Sequence, residues 1–281
     1  MHNFFEGWYM KCQSDTHTFA VIPAIHEAGQ KRSCSVQLIT EENAWNIEYP
    51  AEMFCKRGRK ISIQNNMFSP WGIRLCMNTP DLRVRGKLTF GPLEPLNYDI
   101  MGPFAMIPFM ECRHSVLSMK HRVDGSLLIN DEEYVFRNAI GYWEGDRGRS
   151  FPKEYLWTQC HFSEGSIMLS IAEIPVVGRY FSGIIGIVFW QGKEYRFATY
   201  LGAKVICLKK GVIRVVQKDM ELEVKLLEPA EKTLRAPKGG DMIRSVHESL
   251  TCHAYYQFKW KGATFFEFET YRASFEYEYC R

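Results

Sequence analysis

The feature that most constrains the fold is a two-residue alternation of oily and wet side chains in a chain that carries no helical stripe. Met220, Leu222, Val224 and Leu226 alternate with Glu221, Glu223 and Lys225, and Phe275, Tyr277 and Tyr279 alternate with Glu276 and Glu278. Successive side chains of a strand point to opposite faces, so this pattern predicts strands with one buried and one wetted face. Turn chemistry punctuates the runs: Asp124-Gly125 divides 115–123 from 126–129, Asn130-Asp131 precedes 134–136, and Gln191-Gly192 separates 184–190 from 195–201. These read as consecutive hairpins. No stretch of about 12 residues repeats its apolar positions at helical spacing. The chain is therefore expected to be all-β, built of short antiparallel strands with little helix.

Such meanders remove their exposed edges by closing into barrels or barrel-like sandwiches. A length of 281 residues suffices for one large domain or two of ordinary size. The segment 150–154, with Phe151-Pro152 inside it, interrupts the strand pattern, so the expected division is an N-terminal β domain at 1–152 and a C-terminal one at 153–281. A second break at 91–108 holds Pro92, Pro95, Pro103 and Pro108 and is too long for an ordinary connection. It reads as a crossing segment in preference to a lid over a cavity. Residues 5–9 only faintly echo 142–146, which is too little to establish an internal repeat.

Composition narrows the function classes. With 46% hydrophobic residues the chain is not a disordered one, while its longest apolar runs, such as 184–190, fall well short of the ~20 residues that span a bilayer. The net charge of +3 comes from mixed signs, and Lys31-Arg32 and Lys56-Arg57 read as solvated turns. The chain is therefore expected to lack the basic field that would attract nucleic acid or an anionic membrane, and nucleic acid is not an expected partner. The start, Met-His-Asn-Phe-Phe-Glu, shows no leader pattern, and nine cysteines are scattered without a C-x-x-C pair. Both point to the cytoplasm, with reduced thiols serving mainly as small core residues. This leaves 19 Phe, 14 Tyr and 7 Trp, more rings than a soluble core obviously requires.

Familiar catalytic signatures are absent. There is no dinucleotide fingerprint, no phosphate loop, no nucleophile elbow and no H-E-x-x-H. His114 and His121, with His161 or Cys160, match no standard metal spacing, so no metal is expected. Three segments nonetheless concentrate charge among aromatics: Phe5-Glu6-Gly7-Trp8-Tyr9, Met110-Glu111-Cys112-Arg113-His114-Ser115, and 141–152 with Tyr142, Trp143, Glu144, Asp146, Arg147 and Arg149. If the last is extended, Glu144 and Asp146 share a face with Tyr142, and Trp143 points the other way with Arg147 and Arg149. Each segment alone fits a buried ion-pair network as well as a site. Three in one chain favour a site.

These segments, with 4–9, 108–116, 141–160, 197–204 and 234–242 in order, resemble the successive blocks of the tocopherol cyclase family. The long block Gly141-Tyr-Trp-Glu-Gly-Asp-Arg-Gly-Arg-Ser-Phe-Pro-Lys-Glu-Tyr-Leu-Trp-Thr-Gln-Cys160 is the specific one. The resemblance implies a pair of lipocalin-like antiparallel β-barrel domains. It also implies an acid-catalysed reaction without cofactor or metal, in which an alkene of a prenylated hydroquinone is protonated and a ring phenol captures the cation as a chromanol. Related barrels hydrate isoprenoid alkenes instead.

Alkenes are weak bases, so such chemistry needs a strong acid held close to carbon, and burial among aromatics can keep a carboxyl protonated. The candidates for the acid are Asp146 first and Glu144 next, then Glu6 and Glu111. Aromatic faces at Trp8, Tyr9, Tyr142, Trp143 and Trp157 could tolerate the cation. Arg113, His114, Arg149 and Gln159 could orient the phenol or hold a second carboxylate ionised. The expected ligand is a hydrophobic small molecule such as a prenylated quinol or lipid, with at most a transient membrane contact for its uptake. A non-catalytic carrier of the same ligands is the alternative, and a carbohydrate-binding module is disfavoured because the tryptophans sit in apolar strand contexts.

Overall fold

A computed structural model of the chain describes residues 3–107, 110–176, 179–209 and 211–279. Met1, His2, Pro108, Phe109 and Cys280, used in the sequence reading, lie outside them. The described residues form an all-β, lipocalin-like protein with two antiparallel sheets. Helical structure is confined to short 3-10 turns at Ala51–Met53, Gly102–Met106 and Thr199–Leu201. Among the described residues, no helix is long and apolar enough to cross a membrane.

The first sheet contains β1 (Asn3–Gln13), β2 (Thr18–Ala28), β3 (Lys31–Thr40), β4 (Ala44–Pro50), β5 (Phe54–Arg57), β6 (Lys60–Ile63), β7 (Asn66–Ser69), β8 (Gly72–Asn78), β9 (Arg83–Phe90), β10 (Cys112–Ile129) and β11 (Glu132–Gly148). Its spatial order is β4-β3-β2-β1-β11-β10-β9-β8-β7-β6-β5. The second contains β12 (Tyr155–Phe162), β13 (Gly165–Val176), β14 (Arg179–Trp190), β15 (Lys193–Ala198), β16 (Lys204–Lys209), β17 (Val212–Gln217), β18 (Met220–Glu228), β19 (Lys232–Lys238), β20 (Asp241–Trp260) and β21 (Ala263–Tyr277). Its order is β15-β14-β13-β12-β21-β20-β18-β17-β16, with β19 paired to β20.

The chain divides into two compact units, residues 1–96, 110–151 and 234–245 in one and 97–109, 152–233 and 246–281 in the other. Neither unit is a single continuous stretch. In the first, Gln37 brackets Arg235, donating to its carbonyl at 2.9 Å and accepting from its N–H at 2.8 Å. In the second, the Arg196 guanidinium donates to the carbonyls of Tyr98 and Asp99 at 2.9 and 3.0 Å, lies 3.6 Å from the Tyr98 ring centroid and pairs with Glu194 at 2.7 Å. The proline-rich break thus crosses from one unit to the other: Gly91 and Glu94 still bond to β10, and Tyr98 and Asp99 are already held by Arg196.

Inward-facing side chains from many strands of the first sheet meet in one core, including Trp8, Phe19, Phe68, Phe136 and Trp143. A sheet whose strands share one core must curl upon itself. The second unit repeats this with Phe197, Tyr256, Phe258 and Phe275. Much of the aromatic surplus therefore fills two cores, one for each sheet.

Two predicted turns form as hairpins. Asn130 and Asp131 (φ 47° and 73°) join β10 to β11, and Gln191 and Gly192 (φ 48° and 74°) join β14 to β15, the left-handed backbone that suits strand twist. Asp124-Gly125 does not form a turn. β10 runs straight through it, with a register shift between Val123 and Gly125. Gly125 has φ 132°, and a Cβ there would lie 2.2 Å from the Lys87 carbonyl oxygen of β9. The glycine serves a close strand approach at a bulge.

Two stability tests follow from this packing. Gly125→Ala should lower unfolding free energy by about 1–3 kcal/mol in urea titrations, because the added carbon meets backbone. His121 is buried against Gly141, and burial lowers its pKa to about 4. A neutral imidazole in the fold that charges on unfolding stabilises fully above about pH 6.5, and this contribution is lost as pH falls toward 4, up to about 3 kcal/mol. His26 is lowered to about 4 as well, again mainly by burial. The denaturation midpoint should therefore fall between pH 6.5 and 4, and His121→Asn should flatten part of that fall; an unchanged slope would refute the assignment.

Candidate active site

Strand alternation sorts the charged aromatic segments onto two faces. On β1, Trp8 and Met10 enter the core while Tyr9 and Lys11 point the opposite way; on β11, Trp143 enters it while Tyr142, Glu144 and Asp146 do not. Gly7, Tyr9 and Lys11 lie opposite Asp146, Glu144 and Tyr142 across the β1–β11 pairing, and His114 and Val116 lie opposite Asp146 and Glu144 across β10–β11. One face thus gathers Tyr9, Lys11, Tyr142, Glu144, Asp146 and His114. It is buried although it faces away from the core: Lys11 and Tyr142 are 0% exposed and Glu144 is 5% exposed.

His114 sits between the two acids. Its Nδ1 is 3.0 Å from Asp146 Oδ1, and its Nε2 is 3.3 Å from Glu144 Oε2. The Tyr142 hydroxyl donates to Glu144 Oε2 at 2.5 Å, and the Cys112 thiol donates to Asp146 Oδ1 at 3.4 Å. Burial disfavours the imidazolium, yet the negative charges of Asp146 and Glu144 outweigh it and hold the His114 pKa well above its ordinary value. Burial, reinforced by Glu144, raises the Tyr142 phenol, and burial with Asp146 raises the Cys112 thiol. Both therefore stay protonated and act as donors. The arrangement is a proton-bearing imidazole clamped by two carboxylates, with a phenol and a thiol completing their hydrogen bonding. Asp146 is the most accessible of the three charged groups, its side chain 23% exposed against 10% for His114 and 6% for Glu144.

His114, Glu144 and Asp146 also place one ligand atom each within 4.8 Å of one another, a spacing that could hold a metal ion. A metal there would have to displace the proton shared by His114 and Asp146. Among the described residues, His121 belongs to no grouping with the spacing of a metal site, and its ring nitrogen is held by Ser118 at 3.0 Å.

The structure brings together Asp146, Glu144, His114, Tyr142 and Tyr9 among the sequence candidates, and within the first unit it sets Glu6, Trp8, Trp143, Arg113 and Glu111 apart from them. Glu6 lies on the other face of β1, paired to Lys56 at 2.5 Å, and Lys56 stands 4.7 Å from the Trp8 ring centroid. Trp8 and Trp143 are core residues of the first unit, so neither can present its ring on the face of Glu144. Arg113 alternates with His114 and lies opposite Arg147, away from the acids. Glu111 precedes β10 and uses its carbonyl to accept the Arg149 N–H at 2.8 Å. Trp157 and Gln159 are buried on β12 in the second unit, where Gln159 donates to Ser166 at 3.5 Å.

Sequence reasoning missed Lys11, Cys112 and the central position of His114. For Lys11 the signal was available, since it shares the parity of Tyr9. For His114 it was not. Counting back from the Asn130-Asp131 turn in unbroken register would set His114 opposite Arg147, on the wrong face. Register shifts at Val123/Gly125, Ser118/His121 and Val116/Ser118 leave it opposite Asp146 instead.

An NMR titration of the histidine rings should find His114 still charged above pH 7. Asp146→Asn or Glu144→Gln should each lower its midpoint by removing an anion. A His114 midpoint near 6.5 in the unaltered protein would contradict the clamp.

The pattern of the tocopherol cyclase-like family matches residues 77–238, more than half of the chain. The block at 141–160 lies within that stretch, and the block at 4–9 lies outside it. No curated protein sequence matches. Among solved structures, CghA in complex with Sch210972 is similar at TM-score 0.60 and 10% identity over 98% of this chain and 88% of that one. Kievitone hydratase from Nectria haematococca is similar at 0.53 and 10%, over 98% and 88%. A protein from Nitrosomonas europaea assigned as AttH is similar at 0.58 and 11%, over 98% and 93%. At such identities the likeness speaks for the fold. The family pattern goes further: the chain belongs to the tocopherol cyclase-like family.

Proposed function

We propose that the chain is an enzyme that protonates an isoprenoid alkene and lets an internal phenol capture the cation, closing a chromanol ring on a prenylated hydroquinone. The observation that carries this reading is the buried imidazole between two carboxylates on the face shared with Tyr9 and Tyr142. Family membership supports an enzyme of this kind, and one fold neighbour is by name a hydratase.

In this reading Asp146, the most open of the charged groups, delivers the proton. The proton that His114 Nδ1 shares with Asp146 passes to the carboxylate, and the O–H bond so formed breaks as the alkene π pair forms a new C–H bond, leaving a tertiary carbocation. With His114 then neutral and both acids ionised, the cluster carries two negative charges, which stabilise the cation without forming a bond to it. The phenol oxygen closes the ring, and its proton returns to the cluster. Atoms and charge balance, and no external reagent is consumed. Tyr142 and Cys112 keep the two carboxylates oriented throughout, and the ring faces of Tyr9 and Tyr142 add cation–π stabilisation.

Incubation with prenylated hydroquinones in D2O should place one deuterium on the protonated alkene carbon of a cyclised product. Asp146→Asn should lower kcat by about 10²–10⁴-fold with ligand binding nearly unchanged, and full retained rate would exclude Asp146 as the donor. If the panel binds and raises thermal stability but is never converted, the protein is a carrier of such ligands and the enzymatic reading fails.

A further inference from the structure

The near-neutral whole-chain charge hides a strong segregation. Between Met53 and Leu93 there are eight Lys and Arg and a single acid, Asp81, a net +7 in a chain of net +3. This stretch builds β5 to β9, five adjacent strands at one end of the first sheet. Lys56 is paired with Glu6 and Arg83 with Asp131. Among the described residues, Arg57, Arg59, Lys60, Arg74, Arg85 and Lys87 have neither an ion pair nor a side-chain hydrogen bond, and all six are exposed.

Their placement is electrostatically unfavourable. Arg74 lies directly opposite Lys87 across β8–β9, and Arg57 directly opposite Lys60 across β5–β6. Like charges set opposite one another destabilise a sheet. Cations on an outermost strand can serve to prevent edge-to-edge aggregation, which accounts for Arg57 and Lys60 on β5 and β6. It does not account for Arg74, Arg85 and Lys87, because β8 and β9 are interior strands with both edges paired. The sequence expectation that the chain lacks a basic field is corrected here: charges that average out along the chain do not average out on the surface.

Apolar side chains stand exposed among these cations. Trp71, at the β7–β8 turn, is 73% exposed, and Leu128 on β10, opposite Arg85, is 46% exposed. Tryptophan favours the headgroup level of a bilayer, and Lys and Arg stems lie along apolar surface while their charges reach phosphate. We propose that the outward face of β5–β9 is a docking surface for an anionic lipid bilayer. This face does not depend on the catalytic reading.

The test is sedimentation of the full-length protein with phosphatidylcholine vesicles and with vesicles in which a third of the lipid is phosphatidylglycerol, at low salt and at 1 M salt. The protein should partition onto the anionic vesicles only, and high salt should release it. Each cation near an anionic surface is worth about a fivefold change in partition, so Arg74→Glu with Lys87→Glu should lower binding at least about 25-fold. Arg74→Gln with Lys87→Gln keeps the test valid if charge reversal disturbs folding. Lys193→Glu with Lys204→Glu, exposed cations elsewhere, should change it less than about threefold. Trp71→Ala should weaken it further. Equal partition onto neutral vesicles, no partition onto anionic ones, or binding to duplex or single-stranded nucleic acid in place of anionic vesicles would each overturn the proposal.

Discussion

The pairing of β10 with β11 is the constraint on which the site depends. In an antiparallel ladder a shift of one residue turns a whole strand over, exchanging its buried and exposed sides. β10 is shifted three times along its length, and the net effect is to turn His114 toward Asp146 and Glu144. Such irregularities leave backbone groups without their ladder partners. Ser118, fully buried between two of the shifts, helps to satisfy them: its hydroxyl accepts the Glu94 N–H at 3.1 Å and donates to the Lys120 carbonyl at 2.9 Å. Gly125 at the third shift permits the close approach of β9. The serine and the glycine therefore act on the His114 cluster through register, although neither bonds to it.

Burying two acids and an imidazole is costly, and the arrangement recovers that cost only while all three remain. An ion without its partner in a dry environment is strongly destabilising, whereas a complete hydrogen-bonded set is tolerated. Tyr142 illustrates the economy of the face. Its ring fills fully buried space, and its hydroxyl satisfies a Glu144 oxygen. A phenylalanine would keep the packing and leave the carboxylate short of one donor. On the core side Trp8 and Trp143 fill volume, and the acid on that side of β1, Glu6, is paired with Lys56.

What was legible in the sequence divides along the same physical line. Alternation and the Asn130-Asp131 and Gln191-Gly192 turns are local signals, and the fold class follows from them. Parity along 142–146 correctly separates Tyr142, Glu144 and Asp146 from Trp143. Parity does not say which side of a strand is the core when both sides are oily, so from sequence Trp8 and Trp143 read as pocket lining. Asp124-Gly125 reads as a turn because the same dipeptide serves turns and bulges; the choice is made by β9, which is distant in sequence. His114 was recognised as polar in an apolar strand, but its partners depend on bulges that carry no local signature.

The fold persists at 10–11% identity across proteins with TM-scores of 0.53–0.60. Such a likeness can rest on alternation and turn geometry, which many residue combinations supply, and it places few demands on any one side chain. The clamp on His114 is different, because it requires two carboxylates, an imidazole and a register that is not the one set by the hairpin turn. A sheet selected only for stability would have little reason to hold that combination in a buried place. An unbroken β10 would need no buried serine to answer its backbone, and apolar residues at 114, 144 and 146 would avoid the desolvation cost entirely. The protein gives up stability to build this face, and chemistry there is what would repay it.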